Sequence, residues 1–316
     1  MKIIHRVSDL KRPFRCPVLA VGVFDGLHHG HRKLIQKAIR RARAIGGQVV
    51  VMTFDPHPRQ VICPGKELPL ISSPAYRLKL LEEMGVDACI VVKFTKRFAS
   101  LDPKVFIRRY LRDRIGAVEV IVGDDFYFGR DRRGDVGLLM MMAETCGFKV
   151  HVIGTRRKGS KQVSSSRIRE FIREGDIRHA QHLLDRPVAV YGQVVRGDQR
   201  GRLLGFPTAN LNPYTTGMAP IGVYCVRVTI RDRVYFGMAN IGHRPSFKRK
   251  APVNIEVHIF DFRGNLYGQN ILVEFLKRIR DEHVFSSQAS LAAQLQSDAV
   301  SVRQWFKSHF FLTCKI

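Results

Sequence analysis

The sequence predicts an α/β domain on a parallel sheet, followed by a small antiparallel β-barrel with one terminal helix. Three observations carry that expectation. Through the first half, short apolar runs alternate with amphipathic helical segments, the rhythm of a parallel sheet covered by helices on both faces. After about residue 185, β-like runs follow one another with only Gly, Asp, Asn and Pro turns between them, as in a small closed barrel. Helical spacing returns only over about 287–308. The basic Arg186-Pro187 step marks the expected seam, giving domains 1–185 and 186–316.

Residues 17–24, Pro-Val-Leu-Ala-Val-Gly-Val-Phe, form an apolar run suited to a strand buried on both faces. A helix should follow from near Gly30, with Leu34, Ile35, Ala38, Ile39, Ala42 and Ile45 on its apolar stripe and Gly46-Gly47 at its end. Residues 48–54 are the second strand. Ser73 then caps a helix with Pro74 at its first position, ending near Gly85. Strands over 88–92, 118–122 and 148–153 alternate with helices over 102–115 and 138–146, so 148–153 counts as the fifth strand. The barrel strands are expected at 188–195, 222–230, 233–239, 254–260 and 271–279, and Asp261-Phe262-Arg263-Gly264-Asn265 resembles a hairpin connection.

At 316 residues, 45% hydrophobic and 25% charged, the chain has material for two domains with cores. No apolar run approaches a membrane span, and no leader-like stretch opens the chain; the expectation is a cytoplasmic protein with no membrane partner. The six cysteines (Cys16, Cys63, Cys89, Cys146, Cys225, Cys314) form no Cys-x-x-Cys pair, and read as small buried hydrophobes in a reducing compartment. The net charge of +26 draws polyanions. Its basic residues are nevertheless spread along the chain, without a basic tail, zinc-finger spacing or aromatic RNA-binding signature. Small-molecule substrates are therefore expected rather than nucleic acid, and a homo-oligomer is compatible with the sequence.

Two segments carry chemistry. Gly22-Val23-Phe24-Asp25-Gly26-Leu27-His28-His29-Gly30-His31 runs from strand into helix. His28 and His31, three residues apart at the turn, can face one point, and the free N–H groups and dipole of the helix start favour an anion there. Gly22, Gly26 and Gly30 allow close backbone approach. Such a site can hold a triphosphate and stabilise charge on its α-phosphate; a zinc site is not expected, since no thiol lies nearby, and no Walker A pattern is present. The second segment is Gly201-Arg202-Leu203-Leu204-Gly205-Phe206-Pro207-Thr208-Ala209-Asn210. Thr208 and Asn210 offer neutral oxygens to a phosphate-bound Mg²⁺, and the same residues read equally well as a turn entering a strand.

The first segment resembles the His-x-Gly-His nucleotidyltransferases, and more closely the N-terminal module of bacterial bifunctional riboflavin kinase/FAD synthetases. The resemblance continues through Thr53-Phe54-Asp55-Pro56-His57-Pro58, through Gly123-Asp124-Asp125-Phe126-Tyr127-Phe128-Gly129, and through Val163-Ser164-Ser165-Ser166-Arg167-Ile168-Arg169, where Ser166 replaces the usual threonine. The second segment, with Gly237-Met238-Ala239-Asn240-Ile241-Gly242, Glu256-Val257-His258-Ile259-Phe260-Asp261-Phe262 and Leu266-Tyr267-Gly268, resembles riboflavin kinases.

The resemblance implies phosphorylation of riboflavin to FMN by ATP, then adenylylation of FMN to FAD with release of pyrophosphate, both with Mg²⁺. It implies His28, His31 and Arg167 in adenylyl transfer, with Gly22, Phe24, Asp25, Gly26, Ser164 and Ser165 on ATP and Asp125 and Phe126 on the flavin. In the kinase half it implies Glu256 as general base for the riboflavin hydroxyl, Thr208 and Asn210 on the metal, Gly201, Arg202, Gly205 and Pro207 on ATP, and Arg280, Glu282 and Phe285 on the flavin. An alcohol needs a base; the FMN phosphate does not. Arg196, His243 and Asp185 stand where that family usually has histidine, threonine and glycine.

Overall fold

The computed structural model describes residues 1–310 except 6, 8, 9, 11–13, 66, 67, 155, 156, 159, 160, 198–200, 202, 203, 215–220 and 244–252; at 157, 158, 161, 162, 243, 253 and 310 only the backbone is described. The chain forms two compact units, Met1–Leu68 with Pro74–Ser165, and Pro69–Ser73 with Ser166–Ile316.

The first unit holds a six-stranded parallel sheet in the order β1-β4-β3-β2-β5-β6, from β1 (Lys2–Ile4), β2 (Val18–Val21), β3 (Val49–Asp55), β4 (Ala88–Lys93), β5 (Glu119–Gly123) and β6 (Lys149–Ile153). β2 and β5 are buried along their whole length, which is why β2 is a continuous apolar run and β5 is apolar after Glu119, whose carboxylate is paired with Arg41. Helix α1 (His29–Ala44) covers β2 with Leu34, Ile35, Ala38 and Ala42 of the expected stripe buried; Ile39 is half-buried, and Ile45 is exposed because the helix ends before it. Shorter helices α2 (Pro58–Ile62) and α3 (Pro74–Glu83) follow β3, and α4 (Lys96–Ala99) follows β4. Helix α5 (Pro103–Val105) starts on an Asp102 cap and continues through Phe106–Ile115 with π winding; α6 (Val136–Cys146) precedes β6. Leu19, Val50, Met52, Ile90, Ile107 and Leu139 meet in the core, each fully buried aliphatic chain contributing about 1.5–3 kcal/mol. The edge strand β1 pairs parallel with Ala88–Ile90, so the strand expected as fifth is the sixth. A two-residue antiparallel pairing joins β7 (Arg157–Lys158) to β8 (Lys161–Gln162).

After α7 (Ser165–Arg173) and α8 (Ile177–Leu184), the second unit forms a closed antiparallel barrel. Its strands are β9 (Val188–Val195), β10 (Ala209–Pro213), β11 (Gly222–Ile230), β12 (Arg233–His243), β13 (Val253–Ile259) and β14 (Asn270–Arg280), in the order β10-β13-β12-β11-β14-β9. Closure leaves no free sheet edge. The final helix α9 (Gln288–Phe310) packs Val302 and Phe306 against Cys225, Met238 and Phe260. Asp185 ends α8 at φ +57, a conformation that favours glycine and tolerates aspartate; this explains the residue exchange at that position.

Two expectations are corrected. Asp261–Asn265 is not a hairpin connection: Asp261 turns at φ +56, yet β13 pairs with β10 and β12, and β14 with β11 and β9. The tight reversal is at Arg231-Asp232, between the paired β11 and β12. Cys16 and Cys63 are exposed, whereas Cys89, Cys146 and Cys225 are buried; burial pushes the Cys89 and Cys225 thiols up to about 12. Among the described residues no helix is long and apolar enough to cross a membrane.

Candidate active sites

In the first unit the chain leaves the carboxyl end of β2 through Gly22 and Val23, turns at Phe24 with φ +55, and makes a single 3₁₀ turn over Asp25–Leu27. His28 then caps α1, its Nδ1 accepting from the His31 N–H at 3.4 Å. That cap stacks the two imidazoles, with centroids 3.6 Å apart and planes 15° from parallel. The Phe24 ring meets His31 edge-on at 5.3 Å. Burial, with help from the charges of His28 and Arg77, holds His31 well below the usual histidine range. Its Nδ1 is buried without a hydrogen-bond partner. His31 is thus a neutral imidazole at neutral pH with an unused ring nitrogen, beside the N–H groups of a helix start.

Gly22, Phe24, His28, His31, Ser164 and Ser165 line one cavity of about 410 Å³, and Asp125 and Phe126 line it as well. Asp25 and Gly26 are buried in the turn and are not among its lining residues; the Asp25 carbonyl accepts from Ser165 Oγ at 3.3 Å. Arg167 stands exposed in the first turn of α7, its guanidinium 5.5 Å from the Phe171 ring centre. Sequence reasoning missed most of the aromatic lining. Phe54, Phe94, Phe98, Phe106 and Phe128 join Phe126 around the cavity, linked by ring contacts of 5.1–6.2 Å. Such a lining suits a flat aromatic ligand.

In the barrel, Glu256 sits on β13 with Asn210 of β10 opposite it on one side and Asn240 of β12 on the other. Asn254, two residues back and hence on the same face, donates from Nδ2 to Glu256 Oε1 at 2.7 Å. One carboxylate is thus framed by neutral carboxamides. Gly201, Thr208, Asn210, Glu256, Glu282 and Phe285 line a common cavity of about 310 Å³, as does Arg280. Asn210 is 7% exposed and its Oδ1 has no partner. A buried carbonyl oxygen in that condition fits a hard cation that keeps water and phosphate oxygens as its other ligands. Any side chain at Gly197 would collide with the Asn210 carboxamide, and any at Gly242 with the Glu282 carboxylate. Those two glycines admit the site's polar groups.

Arg280 lines the cavity with its polar edge already engaged: it holds Asp298 through contacts of 2.7–3.1 Å and lies 5.7 Å from the Phe285 ring centre. Gln294 donates to the same carboxylate at 2.8 Å. Gly205 and Pro207 do not line this cavity; Pro207, with Thr208, Leu266 and Tyr267, lines a second one of about 520 Å³. Thr208 therefore borders both. His258 Nδ1 donates to the Pro207 carbonyl at 2.9 Å, and burial lowers its pKa. Arg202 and the side chain of His243 lie outside the described residues.

A family model for FAD synthetase matches residues 11–167, and one for riboflavin kinase matches residues 184–306. A bifunctional riboflavin kinase/FMN adenylyltransferase of Bacillus subtilis (strain 168) is 37% identical over 319 residues, covering 98% of this chain and 99% of that one. The chain belongs to this family. The Escherichia coli (strain K12) member is 36% identical, with 97% and 98% covered. The Haemophilus influenzae member is 32% identical, with 98% and 100% covered. A crystal structure of a Streptococcus pneumoniae protein named as a macrolide-efflux protein superposes with a TM-score of 0.82 at 33% identity, covering 96% of this chain and 98% of that one. Within the riboflavin kinase/FMN adenylyltransferase frame, the residues of the parallel-sheet cavity fall in the FAD synthetase match, and those of the Glu256 cavity fall in the riboflavin kinase match.

Proposed function

We propose that the chain makes FAD from riboflavin in two ATP-dependent steps, each in its own cavity. The protein is a riboflavin kinase and FMN adenylyltransferase, with riboflavin, FMN and FAD as its substrates and products. In the barrel, the Glu256 carboxylate takes the proton of the riboflavin 5′-hydroxyl. The freed oxygen attacks the γ-phosphorus of ATP, the bond from that phosphorus to the β-bridging oxygen breaks, and FMN and ADP result. Asn254 holds one Glu256 oxygen and leaves the other for the proton. Thr208 and Asn210 would hold Mg²⁺, which neutralises phosphate charge when bound. Arg280, Glu282 and Phe285 border the flavin, with Asp298 holding the Arg280 guanidinium beside the Phe285 ring. The triphosphate crosses Thr208, with Gly201, Arg202, Gly205 and Pro207 along it.

In the parallel-sheet unit, an FMN phosphate oxygen attacks the α-phosphorus of the second ATP and pyrophosphate leaves. A phosphate dianion is already a nucleophile, so this site works by positioning and charge stabilisation. His28, His31 and the start of α1 meet the phosphates, with Gly22, Phe24, Ser164 and Ser165 beside them and Asp25 and Gly26 shaping the turn; Arg167 is the further residue that the family resemblance implies for adenylyl transfer. Phe126 and Asp125 hold the isoalloxazine end. We draw the working modules at 1–185 and 186–316, consistent with family matches ending at 167 and beginning at 184. On this reading the enzyme serves small molecules in the cytoplasm, needs neither membrane nor nucleic acid, and uses its +26 charge to attract anionic substrates.

The observation that carries the two-site reading is the sorting of the sequence-read residues into separate cavities, one with a carboxylate framed by asparagines and one with stacked imidazoles. Purified protein given riboflavin and Mg·ATP should accumulate FMN and then FAD on chromatography. Failure to form either flavin nucleotide would overturn the proposal.

A further inference from the structure

Arg77 on α3 is 3% exposed, and its hydrogen bonds run to neutral oxygens: Nη1 donates to the Val23 carbonyl at 2.6 Å and to Thr53 Oγ1 at 3.2 Å. Thr53 Oγ1 donates to that same Val23 carbonyl at 2.8 Å. One main-chain oxygen thus gathers donors from α3 and β3 just where β2 leaves the sheet. The next residue, Phe24, is held at φ +55, lines the cavity with Val23, and sets its ring edge on His31. Packing alone does not account for a guanidinium here, since an apolar chain of similar length would seat α3 without burying a charge.

We infer that Arg77 is a positioning residue for adenylyl transfer: it fixes the Val23–Phe24 turn against β3, so that His28 and His31 keep the stacked arrangement that meets the incoming phosphate. The inference rests on the reading of the His28–His31 cavity as the adenylyl-transfer site. Arg77 also acts through its field. The groups bearing on His31 are His28 and Arg77; Arg77 in turn faces the Asp25 and Asp55 carboxylates and the Cys89 thiol, while Arg59, Arg132 and Asp125 line the cavity itself. With Arg77 in place, His31 enters the reaction neutral and its vacant nitrogen is free to meet ATP.

The test is steady-state kinetics of FMN-to-FAD conversion by the full-length chain, with riboflavin phosphorylation by the same preparation as an internal control. Arg77→Met keeps an unbranched apolar stem, though a shorter one, and removes both hydrogen bonds and the charge. Its adenylyl-transfer kcat should fall by roughly 10- to 100-fold, the scale of a small misplacement in an active site, while the kinase rate stays at the wild-type value. The acid limb of its kcat/KM profile should also move to higher pH, because His31 loses a cation that disfavours its protonation. Arg77→Lys retains the charge, so its acid limb should stay in place while kcat falls by a smaller factor. Should Arg77→Met lose the unfolding transition of the first unit, Arg77→Lys decides: reduced kcat with an unmoved acid limb supports the inference, and wild-type kcat overturns it. A folded Arg77→Met protein with wild-type kcat and an unmoved acid limb also overturns it. A wild-type chain that makes FMN but no FAD would instead sink the reading of the cavity.

Discussion

The two cavities solve related problems with opposite equipment. The barrel places a carboxylate among asparagines, with Asn210, Asn240 and Asn254 around Glu256. The parallel-sheet unit places a stacked pair of imidazoles on a helix start, with an aromatic lining beyond them. The difference follows the nucleophile: a hydroxyl must lose a proton to attack phosphorus, while a phosphate monoester need only be held in line. Equipment thus reports the acceptor more faithfully than the shared donor. On the proposed reading both reactions consume ATP, yet among the described residues nothing in the barrel copies the histidine cap, and nothing in the sheet unit copies the carboxamide frame.

The largest effect that could break this comparison is at Glu256. Glu256→Gln should lower riboflavin phosphorylation by about 10²- to 10⁴-fold, with FMN-to-FAD conversion unchanged in a coupled pyrophosphate assay. Next, His31→Ala removes a group aimed at developing charge and should cost adenylyl transfer about 10²- to 10³-fold while sparing the kinase. Within the barrel, Asn254→Ala frees Glu256 Oε1 from its donor; a hydrogen bond to a charged group is worth about 1.5 kcal/mol, or about tenfold in kinase kcat. Asn210→Ala should raise the Mg²⁺ concentration needed for half-maximal phosphorylation, seen in a metal titration, and leave the flavin KM little altered. The smallest effect lies behind the sheet. Arg41 holds Glu119 below its usual range, with His151 Nε2 a further 2.8 Å contact. A lowered carboxylate stabilises the fold above its unfolded pKa, and that stability is lost as pH falls through the folded value. Arg41→Met should therefore lower the thermal midpoint near neutral pH by a few degrees, and the difference should shrink below about pH 4 as the carboxylate protonates in both states.

Much of this was legible from local pattern. The apolar run of β2, the stripe of α1 and the His28–His31 spacing are short-range features, and the structure follows them closely. Pairing partners were not legible. The turn at Asp261 has the backbone of a reversal, but only the closed barrel decides that β13 and β14 part there. Likewise β1 is three residues long, too short for any period to show. At the two cavities, lining residues inside the named motifs were legible, whereas buried polar partners from elsewhere in the chain were not. Arg77 looks like an ordinary polar position on α3, and Asp298 like a solvated helix residue, until the fold brings each under its partner. Nothing in the linear sequence announces that Asp298 holds Arg280 at the cavity wall.

Complementation between variants tests the separation of the two chemistries most directly. Glu256→Gln and His31→Ala chains, each given riboflavin and Mg·ATP alone, should make almost no FAD; mixed in one vessel, they should restore it, the second supplying FMN to the first. A mixture that stays inactive, or a Glu256→Gln chain that makes FAD from riboflavin unaided, would contradict the account.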